Sequence, residues 1–573
     1  MLKKIELLAP AGSMANLKAA VSKGADSVYL GMQQFNARQF ATNFNEEFLK
    51  EAVKICHSNN VKVYVAMNTL VKNEELNNFF RQLSYAYSIG IDAVIIQEYS
   101  LLELIKKQFP GLQVHISTQA GIINSLQAKL FSNADSITLA RELKKDEISE
   151  IRKNFSKKIE IFCHGALCVC MSGSCLFSSL LGGRSGNRGR CAQPCRKLYD
   201  HDYYISPKEL CLIDKIPEII KTGVDIVKIE GRMRTPYYVA TVTDIYRKAI
   251  DGFYKGNFSI TKDMLSKLQG AFSREFTEGW FSSSKDVFNR KTATGIISQT
   301  HEKEMYNIQY NKNLITQRKN VNFNPPEIKS YENKEKRLLV RVYNPEDAIK
   351  AANSGANIIY FDLFDKDFTK LKQNLKCKIY GITPRIMLDQ DIDTITKLIK
   401  EKKPDGLLIG NIGLLQNNLE LPIHIDYNCN CFNDLDVSYF SNHNSLPIIS
   451  PELSLRDLKK FKDKRFIVMV HGKIRMMTLR HDFDKKQITD QKGAKFYINK
   501  IHNGSEIINE KEFGLLSKSK QLLDSGINNF FIDTDKNVSE IVSFYKKVLD
   551  NKHVDDSRIK KDYILGWAYR GVF

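Results

Sequence analysis

Residues 6–31 read ELLAPAGSMANLKAAVSKGADSVYLG, and this stretch shows how the chain is built. An apolar run at 5–9 is followed by a helical pattern at 16–24 and by a second apolar run at 27–31. Further apolar runs occur at 62–67, 93–97, 113–117, 136–140, 158–163 and 226–230. Eight strands that alternate with helices favour parallel pairing, and eight is the number that closes a TIM barrel. The sequence therefore predicts an α/β fold that begins with a TIM-barrel-like (β/α)8 unit.

The second half of the chain repeats the layout of the first. LLVRVYNPEDAIKAANSGANIIYFDL at 338–363 matches the opening stretch, and FIVMVHGKIRMM at 466–477 matches IEIFCHGALCVC at 159–170. Repetition on this scale indicates duplication of a whole barrel. We predict a barrel with a cysteine cluster at 1–285, a linker or small β appendage at 286–337, and a degenerate second barrel-like repeat without the cluster at 338–573.

Composition limits the classes of protein to which the chain can belong. The 573 residues are 43% hydrophobic and 26% charged, which is typical of a globular chain with more than one domain. A formal net charge of +20 favours a polyanionic partner, although lysines spread over solvated faces would give the same value. The chain lacks an 18-residue apolar run and an apolar signal-peptide core, so we predict a cytoplasmic protein without a membrane partner.

Six of the eleven cysteines lie between residues 160 and 199. Four of these six are surrounded by glycine, serine and basic residues and have the spacing C-x6-C-x15-C-x3-C: Cys168, Cys175, Cys191 and Cys195. Glycine-rich loops allow several thiolates to converge on a metal. The spacing differs from the short knuckles of structural zinc sites, and disulfides would need an oxidising compartment. The spacing alone leaves three possibilities open, an iron–sulfur cluster, a zinc site or no metal.

Several polar side chains follow the apolar runs, where they would meet at the C-terminal mouth of a barrel. The cysteine stretch, between the seventh and eighth strands, would start from the same mouth. Candidates for catalysis are His115, His164, Lys228 and Glu230, because imidazole, amine and carboxylate groups transfer protons. Candidates for substrate binding are Arg38, Asn68, Gln119, Arg188 and Arg232. Each residue also has a structural alternative, such as a histidine satisfied at the barrel rim or a Lys228–Glu230 ion pair that closes the barrel.

Four segments of the sequence resemble a known family. EIFCHGALC at 160–168 and GSCLFS at 173–178 resemble the signature of peptidase family U32, with Phe177 where an aliphatic residue is usual. NRGRCAQPCR at 187–196 and KIEGRMR at 228–234 resemble further blocks of the same family. The resemblance covers roughly residues 5–285.

The resemblance implies an iron–sulfur hydroxylase rather than a protease. In such members four cysteines at these positions hold a 4Fe-4S cluster, so the four cysteines above are its implied ligands. The implied reaction is O2-independent 5-hydroxylation of a pyrimidine in RNA, either a tRNA wobble uridine or a 23S rRNA cytidine. Prephenate is the implied oxygen source, and Arg38, Arg188 and Arg232 are the candidates to bind its carboxylates. The alternatives are hydroxylation of a small aromatic or quinone precursor, a peptidase, and a non-enzymatic RNA-binding module. The sequence contains neither an H-E-x-x-H helix nor a G-x-S-x-G elbow.

Overall fold

The structure, a computed structural model, describes residues 3–272, 274–283, 286–290, 306–319, 321, 323–554, 563–566 and 568–572. The chain divides into two compact units. The first comprises Met1–Val71, Glu75–Gly173 and Gly186–Pro325, and the second comprises Lys72–Glu74, Ser174–Ser185 and Pro326–Phe573. The predicted linker or β appendage lies partly outside the described residues, and residues 306–319 and 323–330 form no helix or strand.

The strands up to residue 277 are β1 (Glu6–Pro10), β2 (Ser27–Gly31), β3 (Lys62–Met67), β4 (Ala93–Ile96), β5 (Gln113–Ile116), β6 (Ser136–Thr138), β7 (Lys158–Ala166), β8 (Glu209–Cys211), β9 (Ile226–Ile229) and β10 (Phe276–Thr277). The helices of the same part of the chain are α1 (Met14–Ser22), α2 (Glu46–Ser58), α3 (Leu76–Ser88), α4 (Leu101–Gln108), α5 (Ser125–Leu130), α6 (Lys145–Asn154), α7 (Phe177–Gly182), α8 (Ile216–Lys221), α9 (Pro236–Tyr254) and α10 (Lys262–Ala271). Of these helices, α7 belongs to the second unit.

Eight parallel strands close a barrel in the first unit. Strands β1 to β7 pair in sequence order, and β9 pairs with both β7 and β1. Each of the eight overlaps one of the apolar runs, so the predicted TIM-barrel-like fold is confirmed. Strand β8 lies outside the ring, where it pairs antiparallel with β7 and parallel with β10.

The interior of this barrel is packed, and it carries both apolar and polar side chains. Leu8, Tyr29, Tyr64 and Ile95, from four consecutive strands, belong to one buried cluster. At the N-terminal end of the barrel, Tyr64 donates a hydrogen bond to Glu6. The interior is therefore filled, and the open end lies beyond the carboxyl ends of the strands.

Helix α9 begins directly after the loop that follows β9, and local chemistry fixes its start. The Thr235 side chain accepts a hydrogen bond from the Tyr238 backbone, and Pro236 occupies the first turn. The helix buries a face that includes Val239, Val242 and Tyr246. This anchoring holds the loop between β9 and α9 over the barrel mouth.

The strands of the second unit are β11 (Arg337–Arg341), β12 (Ile358–Asp362), β13 (Lys378–Ile382), β14 (Gly406–Ile409), β15 (Ile423–Ile425), β16 (Ser445–Pro447), β17 (Val468–Gly472), β18 (Arg475–Leu479), β19 (Gln487–Thr489), β20 (Lys495–Ile501), β21 (Gly504–Asn509), β22 (Glu512–Gly514), β23 (Asn529–Asp533) and β24 (Tyr563–Ile564). Its helices after residue 326 are α11 (Pro345–Asn353), α12 (Phe368–Asn374), α13 (Asp389–Lys402), α14 (Asp434–Asn442), α15 (Leu455–Lys459), α16 (Ser519–Leu523) and α17 (Val538–Leu549).

The second unit repeats the strand order of the first. Strands β11 to β16 pair in parallel, and β23 lies between β11 and β17. A parallel bridge between Ile448 and Ile467 joins the residues after β16 to those before β17. Strand β22 pairs antiparallel with β17 and parallel with β24, as β8 does with β7 and β10. The sequence did not predict the four-stranded antiparallel sheet β18-β21-β20-β19, which is added after β17.

A helix that spans a membrane must be both long and apolar. Within the described ranges, none of the helices combines these two properties.

Candidate active site at the mouth of the first barrel

A carboxylate surrounded by arginines lies at the mouth of the first barrel. The Glu230 Oε1 atom lies 3.2 Å from both Nε and Nη2 of Arg38, and Glu230 is only 7% exposed. Burial alone would raise the pKa of Glu230, but Arg38, Arg234, Arg141 and Arg232 outweigh it and hold the pKa below its ordinary value. Because Arg38 follows β2 and Arg141 follows β6 on the other side of the ring, the carboxylate lies over the mouth.

The loop after β2 carries Arg38 into this position. The Asn36 side chain accepts hydrogen bonds from the Arg38 backbone (2.9 Å) and from Arg232 Nη1 (3.1 Å). Asn68 follows β3, accepts a hydrogen bond from the Ala37 backbone and donates one to Ser117 at the end of β5. Asn68 therefore connects the loops that follow β2, β3 and β5.

Arg232 and Arg141 supply buried positive charge beside Glu230. Burial lowers the pKa of Arg232 to about 10, and its guanidinium lies over the Tyr29 ring. Arg141 Nη1 donates to the Ala166 carbonyl at 2.8 Å, and its guanidinium lies 3.9 Å from the Phe162 ring centroid. Its Nε atom has no hydrogen-bond partner among the described residues. Arg141 directly follows the sixth apolar run, as the predicted pocket residues do, but it was not selected as a binding residue.

Gln97 is a second residue of the mouth that also follows an apolar run but was not predicted to bind substrate. It follows β4, and strand alternation places it on the inward face with Ala93 and Ile95. The residue is buried, and both atoms of its amide lack a hydrogen-bond partner in the described part of the chain. A buried amide without partners at a barrel mouth is suited to binding a ligand.

The prediction that Lys228 lies in the mouth is wrong. Its ammonium lies 2.7 Å from Glu160 Oε1 and 4.3 Å from the Tyr29 ring centroid, inside the barrel. Burial lowers the pKa of Lys228, and Glu160 only partly offsets this effect. The Lys228 side chain therefore lies in the packed interior, whereas Glu230 lies in the mouth. The predicted ion pair of Lys228 is formed with Glu160 and not with Glu230.

The prediction that His115 is a catalytic group of the mouth is also wrong. Its ring packs edge-on against Tyr64 at 4.6 Å in the barrel interior, and burial lowers its pKa to about 4. His424 lies on the equivalent strand β15 of the second unit, 4.8 Å from the Tyr380 ring, and burial lowers its pKa to about 3. A histidine packed in the same way in both repeats is a structural residue.

His164 requires the same correction. Its ring packs under helix α9 against Tyr246 at 5.5 Å, where burial lowers its pKa to about 3. The Tyr246 hydroxyl donates to the Cys163 carbonyl at 2.8 Å and lies 3.4 Å from His164 Nδ1. In the second unit, Tyr545 donates to the Val470 carbonyl at 2.7 Å and lies 3.4 Å from His471 Nδ1. This histidine–tyrosine pair stabilises both barrels and faces away from their mouths.

Arg188 and Gln119 also differ from their predicted roles. Arg188 forms two hydrogen bonds to the Glu75 carboxylate at 2.8 and 2.7 Å and one to the Leu70 carbonyl. Its guanidinium is therefore engaged in fixing the loop after β3 and is a poor candidate to bind substrate. Gln119 is half-buried, and its backbone carbonyl lies against Gly173. Gly173 belongs to the segment at 167–199, between β7 and β8, which carries the four predicted cysteine ligands and is called the cysteine segment below.

The cysteine segment docks on the loops of this mouth. Gly173 has a φ of +80°, and a Cβ there would lie 1.9 Å from the Gln119 carbonyl oxygen, so only glycine fits. The Asn187 carbonyl accepts from the Leu70 backbone, and Arg190 Nε donates to Gln39 at 2.8 Å. These contacts confirm that the segment starts from the C-terminal mouth, as the sequence predicted.

The four predicted ligands differ in their surroundings from the other cysteines of this region. All four are thiols rather than disulfides; Cys191 is exposed, and Cys168, Cys175 and Cys195 are half-buried. Burial lowers the pKa of Arg141, and the nearby Glu230 and Cys168 partly offset this effect. Burial would also lower the pKa of Arg38, but Glu230, Tyr29 and Cys191 outweigh it and raise that pKa. In contrast, Cys163, Cys170 and Cys211 are buried. Burial raises the pKa of Cys163 and of Cys211, the latter to about 11.

The convergence of the four thiols on a metal remains a prediction. Cys168, Cys191 and Cys195 belong to the first unit, whereas Cys175 lies in Ser174–Ser185, where Leu176 donates to the Met476 carbonyl. Among the residues that the structure describes, no three His, Cys, Asp or Glu side chains form a group that could hold a metal ion. The residue types nevertheless suit an iron–sulfur cluster, because all four are accessible thiols and two of them lie near arginines.

Comparison with known proteins identifies the family. The model described as "Peptidase family U32" matches residues 12–291. An uncharacterised protease of Methanocaldococcus jannaschii is 40% identical over 303 residues, which cover 49% of this chain and 74% of that protein. The chain belongs to peptidase family U32.

Two further relatives of this U32 protein are named for RNA modification. A tRNA hydroxylation protein of Bacillus subtilis is 33% identical over 57% of this chain and 85% of its own length. A 23S rRNA 5-hydroxycytidine synthase of Escherichia coli is 33% identical over 50% of this chain and 45% of its own length.

Proposed function

We propose that this U32 protein is an RNA hydroxylase that installs a 5-hydroxyl on a pyrimidine of tRNA or rRNA. The observation that carries the proposal is the arginine-surrounded Glu230 beside a cysteine segment that docks on the same barrel mouth. The relatives named for tRNA and rRNA hydroxylation support the choice of RNA as substrate. The net charge of +20 supports the same choice, because RNA is a polyanion.

We propose that Cys168, Cys175, Cys191 and Cys195 hold one 4Fe-4S cluster. Thiolates are the ligands that such clusters use, and cationic neighbours stabilise them. Arg141 and Arg38 supply those neighbours for Cys168 and Cys191. When bound, the cluster would supply electron-transfer and Lewis-acid chemistry at the barrel mouth.

Arginines of the mouth are the proposed binding groups for a small carboxylate co-substrate, with prephenate as the specific proposal. Arg38, Arg141 and Arg232 carry three positive charges against the one carboxylate of Glu230, so the mouth favours an added anion. Arg141 Nε and the Gln97 amide supply hydrogen-bonding groups that have no partner in the described part of the chain. These groups would orient the carboxylate and replace the water around it.

Glu230 is the proposed proton acceptor. Because the arginines hold its pKa below the ordinary value, Glu230 is ionised at neutral pH and can accept a proton but cannot donate one. Neither His115 nor His164 can share this role, because both are buried away from the mouth with lowered pKa values. The same fact disfavours a cysteine peptidase, since these histidines cannot activate Cys168 or Cys191.

The test is nucleoside mass spectrometry of RNA from a strain that lacks the protein. We expect a 5-hydroxypyrimidine nucleoside to disappear, and to return with the wild-type gene or with Glu218→Gln, an exposed carboxylate on α8. Glu230→Gln should not restore it. Unchanged RNA in the deletion strain would reject the proposed function.

A further inference from the structure

The mouth of the second barrel holds a cavity of about 470 Å³. Its lining includes Tyr343 after β11, Phe364 after β12 and Arg385 after β13, so it lies beyond the carboxyl ends of the parallel strands. Strands β20 and β21 of the added sheet form another wall. This is the position where enzymes of this fold bind their ligands, and the volume is in the range of small-molecule sites.

The floor of this cavity is a closed network of ion pairs. Arg385 donates to Asp426 through Nε at 2.9 Å and through Nη2 at 2.8 Å. Arg475 pairs with Asp533 and, at 2.9 Å, with Glu506. Three buried carboxylates thus face two buried guanidinium groups, and the floor has no surplus positive charge for a free anion.

An aromatic ring is fixed at the edge of this floor. The Tyr343 hydroxyl donates to Asp533 and accepts from Arg475, which anchors the side chain, yet the residue is 47% exposed. Phe364 also lines the cavity and packs against His502, with ring centroids 5.1 Å apart. A ring held rigidly with an exposed face can stack on a planar ligand at little entropic cost.

Polar groups of both kinds line the cavity around these rings. The buried Nε of Arg341 has no hydrogen-bond partner in the described part of the chain. Asp362 is exposed and offers carboxylate oxygens, and the buried Thr383 offers a hydroxyl. A nucleobase, which is planar and uncharged and carries both donors and acceptors, matches this lining better than a small anion does.

The cavity continues into a groove along the added sheet. The groove, about 740 Å³, shares Asn499, Lys500 and Ile508 with the cavity. Five lysines face three aspartates along it: Lys473, Lys485, Lys486, Lys500 and Lys536 against Asp482, Asp484 and Asp535. Its surplus of two positive charges favours a phosphate backbone.

We propose that the second barrel binds single-stranded RNA, with one unpaired base stacked on Tyr343 in the cavity and the flanking phosphates in the lysine groove. This inference rests on the proposed function for the choice of RNA. A stacking ring beside a positively charged groove is the arrangement by which proteins bind unpaired nucleotides. The repeat that lacks the cysteines thereby recognises the RNA on which the first barrel acts.

The test is fluorescence anisotropy of the full chain with a labelled single-stranded oligouridylate, and with a duplex RNA of equal length for comparison. Tyr343→Leu should weaken single-strand binding about tenfold, since stacking on one base contributes about 1–3 kcal/mol. Tyr343→Phe keeps the ring and should bind nearly as wild type. The matched control is Tyr569→Leu, because Tyr569 is 59% exposed and does not line the cavity.

The groove has its own charge-matched pair of variants. Lys485→Glu with Lys486→Glu should weaken binding and reduce its dependence on salt. The control is Lys376→Glu with Lys378→Glu, at the start of β13 and therefore at the N-terminal end of the second barrel.

Two results would overturn the inference. One is wild-type affinity in Tyr343→Leu and in the second variant, Phe364→Leu, which removes a ring outside the ion-pair network. The other is equal loss of affinity in the groove variant and its control. The anisotropy measurement tests RNA binding by the second barrel independently of the deletion strain. If that strain keeps its modified nucleoside, only the proposed hydroxylation is rejected.

Discussion

Lys228 forms its ion pair with Glu160 inside the first barrel and not with Glu230, two residues further along the same chain. The two acidic residues therefore have separate tasks. Glu160 neutralises a buried ammonium in the packed interior, and it also accepts a hydrogen bond from Thr138. Glu230 remains in the mouth with the arginines.

Removal of the Lys228 ammonium should destabilise the first barrel strongly. Lys228→Met leaves Glu160 buried without its counter-ion, which costs about 3–5 kcal/mol of unfolding free energy. The double variant Lys228→Met/Glu160→Gln should recover much of this loss, as measured by urea unfolding. Lys145→Met, which breaks an exposed pair with Glu218, is the control and should change little. A Lys228→Met protein as stable as wild type would contradict the buried pair.

The buried histidines should make stability fall at mildly acidic pH. The pKa of His115 is lowered to about 4 by burial, against about 6.5 in the unfolded chain, so the unfolded state binds more protons between these values. The contribution of neutral His115 to the free energy of unfolding is fully present above pH 6.5. It is lost as the pH falls toward 4, by about 1.4 kcal/mol per pH unit. Urea unfolding at several pH values should show a shallower decline for His115→Phe than for wild type. An equal decline in both would contradict burial as the cause.

Iron binding should depend on the four cysteines of the docked segment. Anaerobically purified wild-type protein should carry about four irons per chain, the content of one cubane. Alanine at Cys168, Cys175, Cys191 or Cys195 should remove most of this iron. Cys429→Ala is the control, since Cys429 is buried in the second unit and burial raises its pKa. Full iron retention in all four variants would disprove the ligand set.

Glu230→Gln should separate binding from turnover. Loss of the carboxylate leaves the arginines without their counter-charge, so the KM for a carboxylate co-substrate should fall or stay constant. The kcat should fall about a hundredfold or more if Glu230 accepts the proton. Iron content should not change, which distinguishes this variant from the cysteine variants. Wild-type kcat in an iron-loaded Glu230→Gln protein would exclude the role.

The eight barrel strands of the first unit could be predicted from the sequence, because a short apolar run is a signal contained in the strand itself. The direction of side chains near strand ends could not be predicted equally well. His115 lies one residue before the end of β5, and strict alternation could have placed it in the interior. A β-bulge between Phe162 and His164 shifts the alternation of side chains along β7, and the His164 ring is thereby turned toward α9. The pairing of Arg188 with Glu75 joins residues 113 positions apart, and no sequence pattern announces it.

The closure of each barrel by a late strand has a consequence during synthesis. Strand β9 closes the first ring against β1, so this barrel can be complete once about 230 residues have left the ribosome. Strand β11 must wait about 190 residues for its partner β23. At 5–20 residues per second, the unpaired edge of β11 is exposed for roughly 10–40 s. During that time the nascent second repeat presents an open sheet edge to other chains, and a chaperone that covers this edge would act between the synthesis of β11 and that of β23.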